Sequence, residues 1–93
     1  MSDLNLGARM GGVTGAQVKA ARALLRWTQD RLADEACLRR NVVFRIESDE
    51  HQARPESLDA VVAVLQGHGI RFLGPDTSGE GVILARSGRA TGR

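Results

Sequence analysis

The sequence predicts a mainly α domain of four helices followed by a short C-terminal β-hairpin. Three observations carry that expectation. Apolar residues recur at helical spacing in four separate stretches of the first seventy residues. Thr14, Thr28 and Pro55 stand where three of those stretches begin, and each is a residue type that starts helices. After Gly69 the apolar period changes from helical to two.

The elements follow in order. Residues 1–13 carry glycines and no periodicity, and are expected to form a flexible N-terminal arm. Thr14-Gly15-Ala16-Gln17 fits a capping box, and Val18, Ala21, Leu24 and Leu25 continue a first helix over about 15–26. Thr28 caps a second helix, with Asp30 in the first turn, where the helix dipole favours an acid, and Leu32, Ala33 and Ala36 on its apolar face. A turn at Cys37-Leu38-Arg39 leads into a third helix over about 40–47, with Val43 and Ile46 inward. The polar residues 48–54 read as a loop. Pro55 opens a fourth helix whose stripe is Leu58, Val61, Val62 and Leu65, ended by Gly67 or Gly69. Ile70 to Leu73 and Val82 to Leu84 read as strands joined by a long turn-rich connection from Gly74 to Gly81, and 87–93 as a flexible basic tail. The expected organisation is therefore a helical domain over 14–68, a hairpin over 69–86 and two flexible ends.

Composition narrows the function classes. The 93 residues support one small domain. The formal charge is +2, with a pI near 9.5, too mild for charge alone to argue nucleic-acid binding. The distribution is more telling: Arg26, Arg31, Arg39, Arg40 and Arg45 crowd one segment, and Arg86, Arg89 and Arg93 the tail. A single cysteine, Cys37, excludes an internal disulfide and a multi-cysteine metal site, and is read as a small, partly buried hydrophobe. Trp27 reads as a packing residue. His51 and His68 are too few and too far apart for a metal site, and Asp76 and Glu80 too sparse for a calcium loop. No apolar run approaches the ~20 residues of a membrane span, and the first residues lack a signal peptide's pattern. A soluble cytoplasmic protein with no cofactor is expected. No nucleophile elbow, P-loop or metalloprotease motif occurs, so the sequence offers no support for an enzyme.

Residues 28–47, TQDRLADEACLRRNVVFRIE, carry the functional expectation. Two short amphipathic helices joined by a tight turn suit a helix-turn-helix, in which the second helix enters a DNA major groove. Ala33 would be the small residue where the helices cross, Leu38 the apolar plug of the turn, and Val43 and Ile46 the inward anchors. Arg40, Asn41, Phe44 and Arg45 would then face away from the core. Arginine grips guanine and asparagine grips adenine through paired hydrogen bonds. Phe44 would either meet a thymine methyl or be buried against a partner. Thr28, Gln29 and Arg39 would hold phosphates, helped by backbone amides at the start of the second helix.

At Thr28-Gln29, Leu32-Ala33, Leu38, Val43 and Ile46-Glu47 the chain resembles the Xre/Cro-like helix-turn-helix family of prokaryotic regulators, over about 14–66. The resemblance implies a lambda-repressor-like fold. It also implies that Arg22, seven residues before Gln29, pairs with Glu47 as a clamp, and that the hairpin makes dimer contacts. Three residues depart from the family pattern. Cys37 replaces the glycine of the turn, at a cost of about 1 kcal/mol if φ is positive there. Arg39 replaces a Ser/Thr cap worth roughly 1 kcal/mol. Asp49 stands where glycine usually follows the third helix. The function expected is a DNA-binding transcriptional regulator acting as a homodimer on an inverted repeat. The alternative is an antitoxin or interaction module that binds a toxin and its own operator.

Overall fold

The computed structural model describes residues 12–48 and 54–85. It contains α1 (Gly15–Leu25), α2 (Gln29–Ala36), α3 (Arg40–Glu47), α4 (Pro55–Gly67), β1 (Ile70–Asp76) and β2 (Gly79–Leu84), the two strands forming an antiparallel hairpin. The mainly α fold with a C-terminal hairpin is as the sequence predicts. The arm before residue 12, Asp49, His51 and the tail lie outside the described residues.

Each helix starts and stops for a local reason. Thr14 and Gln17 form the expected capping box: the Gln17 amide donates to Thr14 Oγ1 at 3.2 Å, and the Thr14 amide donates to Gln17 Oε1 at 3.0 Å. α1 ends one residue earlier than the periodicity suggests, because Arg26 turns left-handed with φ 61°. Thr28 Oγ1 accepts the Arg31 amide at 3.0 Å and so caps α2. α2 stops at Cys37, which also adopts the left-handed conformation, with φ 57°. Arg39 precedes α3 and makes no side-chain cap, as its lack of a short hydroxyl or carboxamide implies. Pro55 opens α4 at its first position, where a missing N–H costs nothing. Gly67 remains helical, and Gly69, with φ 98°, reverses the chain into β1.

The core is one apolar cluster. Val18 and Ala21 of α1, Leu32, Ala33 and Ala36 of α2, Val43 and Ile46 of α3, and Val61 and Leu65 of α4 are buried together with Ile70 of β1. Leu38 and Trp27 pack against this cluster from its edge. Ala33 is the small buried residue of α2, and the Leu38 amide donates to its carbonyl at 2.8 Å, holding the turn into α3 tightly against α2.

The hairpin differs from the expected one. Its strands extend to Asp76 and Gly79, and the turn is only Thr77-Ser78. The Gly74-Pro75 segment, which reads as a loop in the sequence, is absorbed as an irregularity of register between Leu73 and Asp76. Gly74 has φ 72°, and a Cβ there would collide with the Gly79 carbonyl oxygen. The turn is held by Asp76 Oδ1, which accepts the Ser78 hydroxyl at 2.7 Å and the Ser78 amide at 2.9 Å; these bonds lower the carboxyl's pKa below its ordinary value. Ile70, Phe72, Val82 and Leu84 share the face that packs on the helices. The hairpin thus closes the core of its own chain.

Gln17 fastens the hairpin to α1. It is only 2 % exposed, and its Nε2 donates to the carbonyls of Leu73 and Gly81, both at 2.9 Å. Both amide hydrogens and the carbonyl oxygen of this side chain are therefore used, which is the condition for burying a polar group cheaply. Thr14 Oγ1 adds a donated bond to Glu80 Oε2 at 3.0 Å.

Candidate nucleic-acid interface

α3 is held on one face and free on the other. Val43 and Ile46 are buried and Val42 is half-buried, whereas Arg40, Asn41, Phe44 and Arg45 are exposed. Phe44, at 53 %, is the most exposed large apolar side chain among the described residues. Arg39 is exposed beside them at the helix entrance. An eight-residue helix is about 12 Å long, comparable to the width of a major groove.

Residues from three elements fix how α3 projects. Arg22 of α1 grips Glu47, the last residue of α3, through two parallel bonds: Nε to Oε2 at 2.7 Å and Nη2 to Oε1 at 3.0 Å. Arg22 Nη1 donates to the Trp27 carbonyl at 2.9 Å. Gln29 Nε2, at the start of α2, donates to Glu47 Oε1 at 3.1 Å. The Arg22 and Glu47 side chains are 17 % and 4 % exposed. The carboxylate sits at the C-terminal end of α3, where the dipole disfavours it, and the guanidinium compensates. A buried pair of this kind fixes geometry more dependably than it adds stability.

A second close approach sets the same helix. Gly15, the first residue of α1, lies against the C-terminal carbonyls of α3: a Cβ there would collide with the carbonyl oxygens of Ile46 and Glu47. The sequence signals this poorly, because a glycine just after a cap reads only as a permissive start. α1 therefore contacts α3 through Gly15 and Arg22 and the hairpin through Gln17.

Thr28, Gln29, Asp30, Arg22 and Arg40 line an open cleft of about 410 Å³ between the entrances of α2 and α3. Thr28 is exposed, its oxygen already accepting within the cap. Gln29 is half-buried, and its bond to Glu47 uses one of its two amide hydrogens. The leading amides of any helix lack intrahelical acceptors, so the start of α2 suits an anion.

Cys37 is exposed, not partly buried. Its left-handed backbone carries the chain around the corner, and Leu38 is the residue that turns inward. The sequence alone places His68 in no site. In the fold its ring meets Trp27 edge-on at 4.7 Å between centroids, while the Arg31 guanidinium lies 4.6 Å from the Trp27 ring centroid. Arg31 also donates to Glu35 one helical turn on, at 3.0 Å.

The left-handed Cys37 gives a direct test of the turn. Cys37→Gly is expected to raise stability by about 0.5–1 kcal/mol, since relief of the αL cost outweighs the extra freedom of the unfolded chain. Chemical denaturation of the two proteins measures it; a destabilised variant would mean the turn is not left-handed.

No curated protein matches the chain. A family model described as helix-turn-helix matches residues 18–69, from within α1 to the residue before β1 and more than half of the chain. Among the described residues, no helix is long and apolar enough to cross a membrane. The matched segment contains the α2–turn–α3 unit, α4 and most of α1, and the chain belongs to the Cro/C1-type helix-turn-helix family of DNA-binding regulatory domains.

Proposed function

We propose that this protein is a sequence-specific transcriptional regulator that binds an inverted-repeat operator as a homodimer, with α3 in the major groove. The observation that carries the reading is the outward face of a helix that is rigidly held from behind. Arg40, Asn41, Phe44 and Arg45 are exposed together there, while Val43, Ile46 and Glu47 lock the other side. Arg40 and Arg45 would bond to guanine edges and Asn41 to adenine, and Phe44 would pack on a thymine methyl. Arg39, Thr28 and the remaining amide hydrogen of Gln29 would hold phosphates on either side of the cleft. The site needs no cofactor and acts on cytoplasmic, nucleoid DNA.

A single short helix reads few base pairs, so specificity calls for two copies about one DNA turn apart. The hairpin supports a dimer role. Leu73 and Ile83 are exposed on the hairpin face opposite the core, and neither belongs to the apolar cluster formed by the described residues. The same face would seat a toxin in the antitoxin reading; co-purification of a second polypeptide in place of a symmetric dimer would favour that alternative.

The test is a gel-shift titration against duplexes selected from a random pool. Arg40→Ala and Asn41→Ala are each expected to weaken the selected site by roughly 1–3 kcal/mol, about 5- to 150-fold, and to relax sequence preference at one position per half-site. Unchanged affinity and preference in both variants would exclude α3 as the reading element.

A further inference from the structure

The entrance of α2 carries an acid beside the reading helix. Asp30, in the first turn of α2, places Oδ1 3.8 Å from Nε of Arg40, the first residue of α3. Both side chains are largely exposed, at 73 % and 67 %. Both also line the open cleft between the entrances of α2 and α3, with Arg22, Thr28 and Gln29. Arg22 is not a competing partner, because its three nitrogens are engaged by Glu47 and the Trp27 carbonyl. Arg31, the next cation along α2, is turned to Glu35 and the Trp27 ring. Arg40 is thus the cation in the cleft that Asp30 meets.

The helix dipole accounts for an acid in this turn. It does not account for an acid at the mouth of a surface that must receive a polyanion. There an added negative charge opposes binding, and the cap of α2 is already supplied by Thr28. Carboxylate and phosphate are alternative partners for the same guanidinium fork. A guanine edge is neutral, offers two acceptors, and is repelled far less by a nearby carboxylate. Phosphate contacts carry no sequence information, so an arginine drawn to the backbone is lost to base reading.

We propose that Asp30 is a positioning residue that sets specificity: its carboxylate occupies the place of a phosphate beside Arg40 and so reserves that arginine for a base edge. This rests on the DNA-binding reading above. Asp30→Asn keeps the size and shape of the side chain and removes its charge.

The experiment compares the full chain, Asp30→Asn, Arg40→Ala and the double variant. Each is titrated with a duplex enriched by the unaltered protein from a random pool and with an unrelated duplex, over a range of salt, after thermal melts establish folding. Asp30→Asn is expected to bind the unrelated duplex several-fold tighter and to lose about tenfold in the ratio of selected to unrelated affinity. Its salt dependence on the unrelated duplex should steepen by about 0.9 in log–log slope, one phosphate newly held by Arg40. In the Arg40→Ala background the same substitution should leave the slope unchanged. A ratio within twofold of the original, or an equal effect of Asp30→Asn with and without Arg40, would overturn the proposal and leave the DNA-binding reading standing. Failure of the unaltered protein to enrich any sequence would overturn both.

Discussion

Glu47→Ala is expected to destabilise the fold by about 3–5 kcal/mol, the range for breaking a buried ion pair from one side. The size follows from what remains. Arg22 keeps one bond, to the Trp27 carbonyl, and leaves two guanidinium nitrogens facing a largely buried site. Gln29 loses the acceptor for its Nε2. The replacement also leaves a void at the junction of α1, α2 and α3. Small domains hold roughly 5–15 kcal/mol in total, so the variant should sit near the limit of folding. The double variant Arg22→Ala/Glu47→Ala should be less destabilised than the sum of its parts, because no charge is stranded. Urea denaturation of the four proteins measures both effects. A loss below about 1 kcal/mol for Glu47→Ala would show that the pair is solvated as an ordinary surface ion pair is.

Gly15→Ala is the second large effect. Alanine is the better helix former, by up to about 1 kcal/mol in a helix interior. Gly15 is the first helical residue, so little of that gain is available. Against it stands the collision of the new methyl with two backbone carbonyls of α3, at Ile46 and Glu47. A flexible side chain could rotate away; a backbone carbonyl cannot without moving the helix. Overpacking of this kind costs typically about 1–3 kcal/mol. The net expectation is a loss of stability, accompanied by a displaced α3 and weaker DNA binding at concentrations where the protein is folded. Denaturation and a gel shift on the same sample check the two parts. A neutral or stabilised variant with unchanged DNA affinity would show that α1 and α3 are not held in contact at this point.

These two sites mark the boundary of what the sequence reveals. The helices were legible because their signals are local: Thr14 with Gln17, Thr28, Pro55 and the apolar spacing act within one or two turns. The positive φ at Cys37 was legible through the resemblance, which places glycine at that turn. The left-handed Arg26 was not, since nothing about an arginine suggests that conformation. Gln17 shows the limit most clearly. Its capping role is readable three residues away, but its bonds to Leu73 and Gly81 join positions 56 and 64 residues apart. Gly15 is similar, its partner being the backbone of another helix. The length of the hairpin is not legible, because Gly74 and Pro75 ordinarily end strands, whereas here an irregular register absorbs them. Among the site residues, the outward face of α3 follows from helical spacing, but the approach of Asp30 to Arg40 depends on how α2 and α3 cross.

Whether α3 and the entrance of α2 form the DNA-reading surface is tested by an amide NMR titration of the full chain with a duplex enriched from a random pool. The expected result is that shift changes concentrate at Thr28, Gln29 and Arg39 to Arg45, with Val61, Val62 and the paired strands little altered. Changes confined to the outer face of the hairpin, with α3 unperturbed, would contradict it.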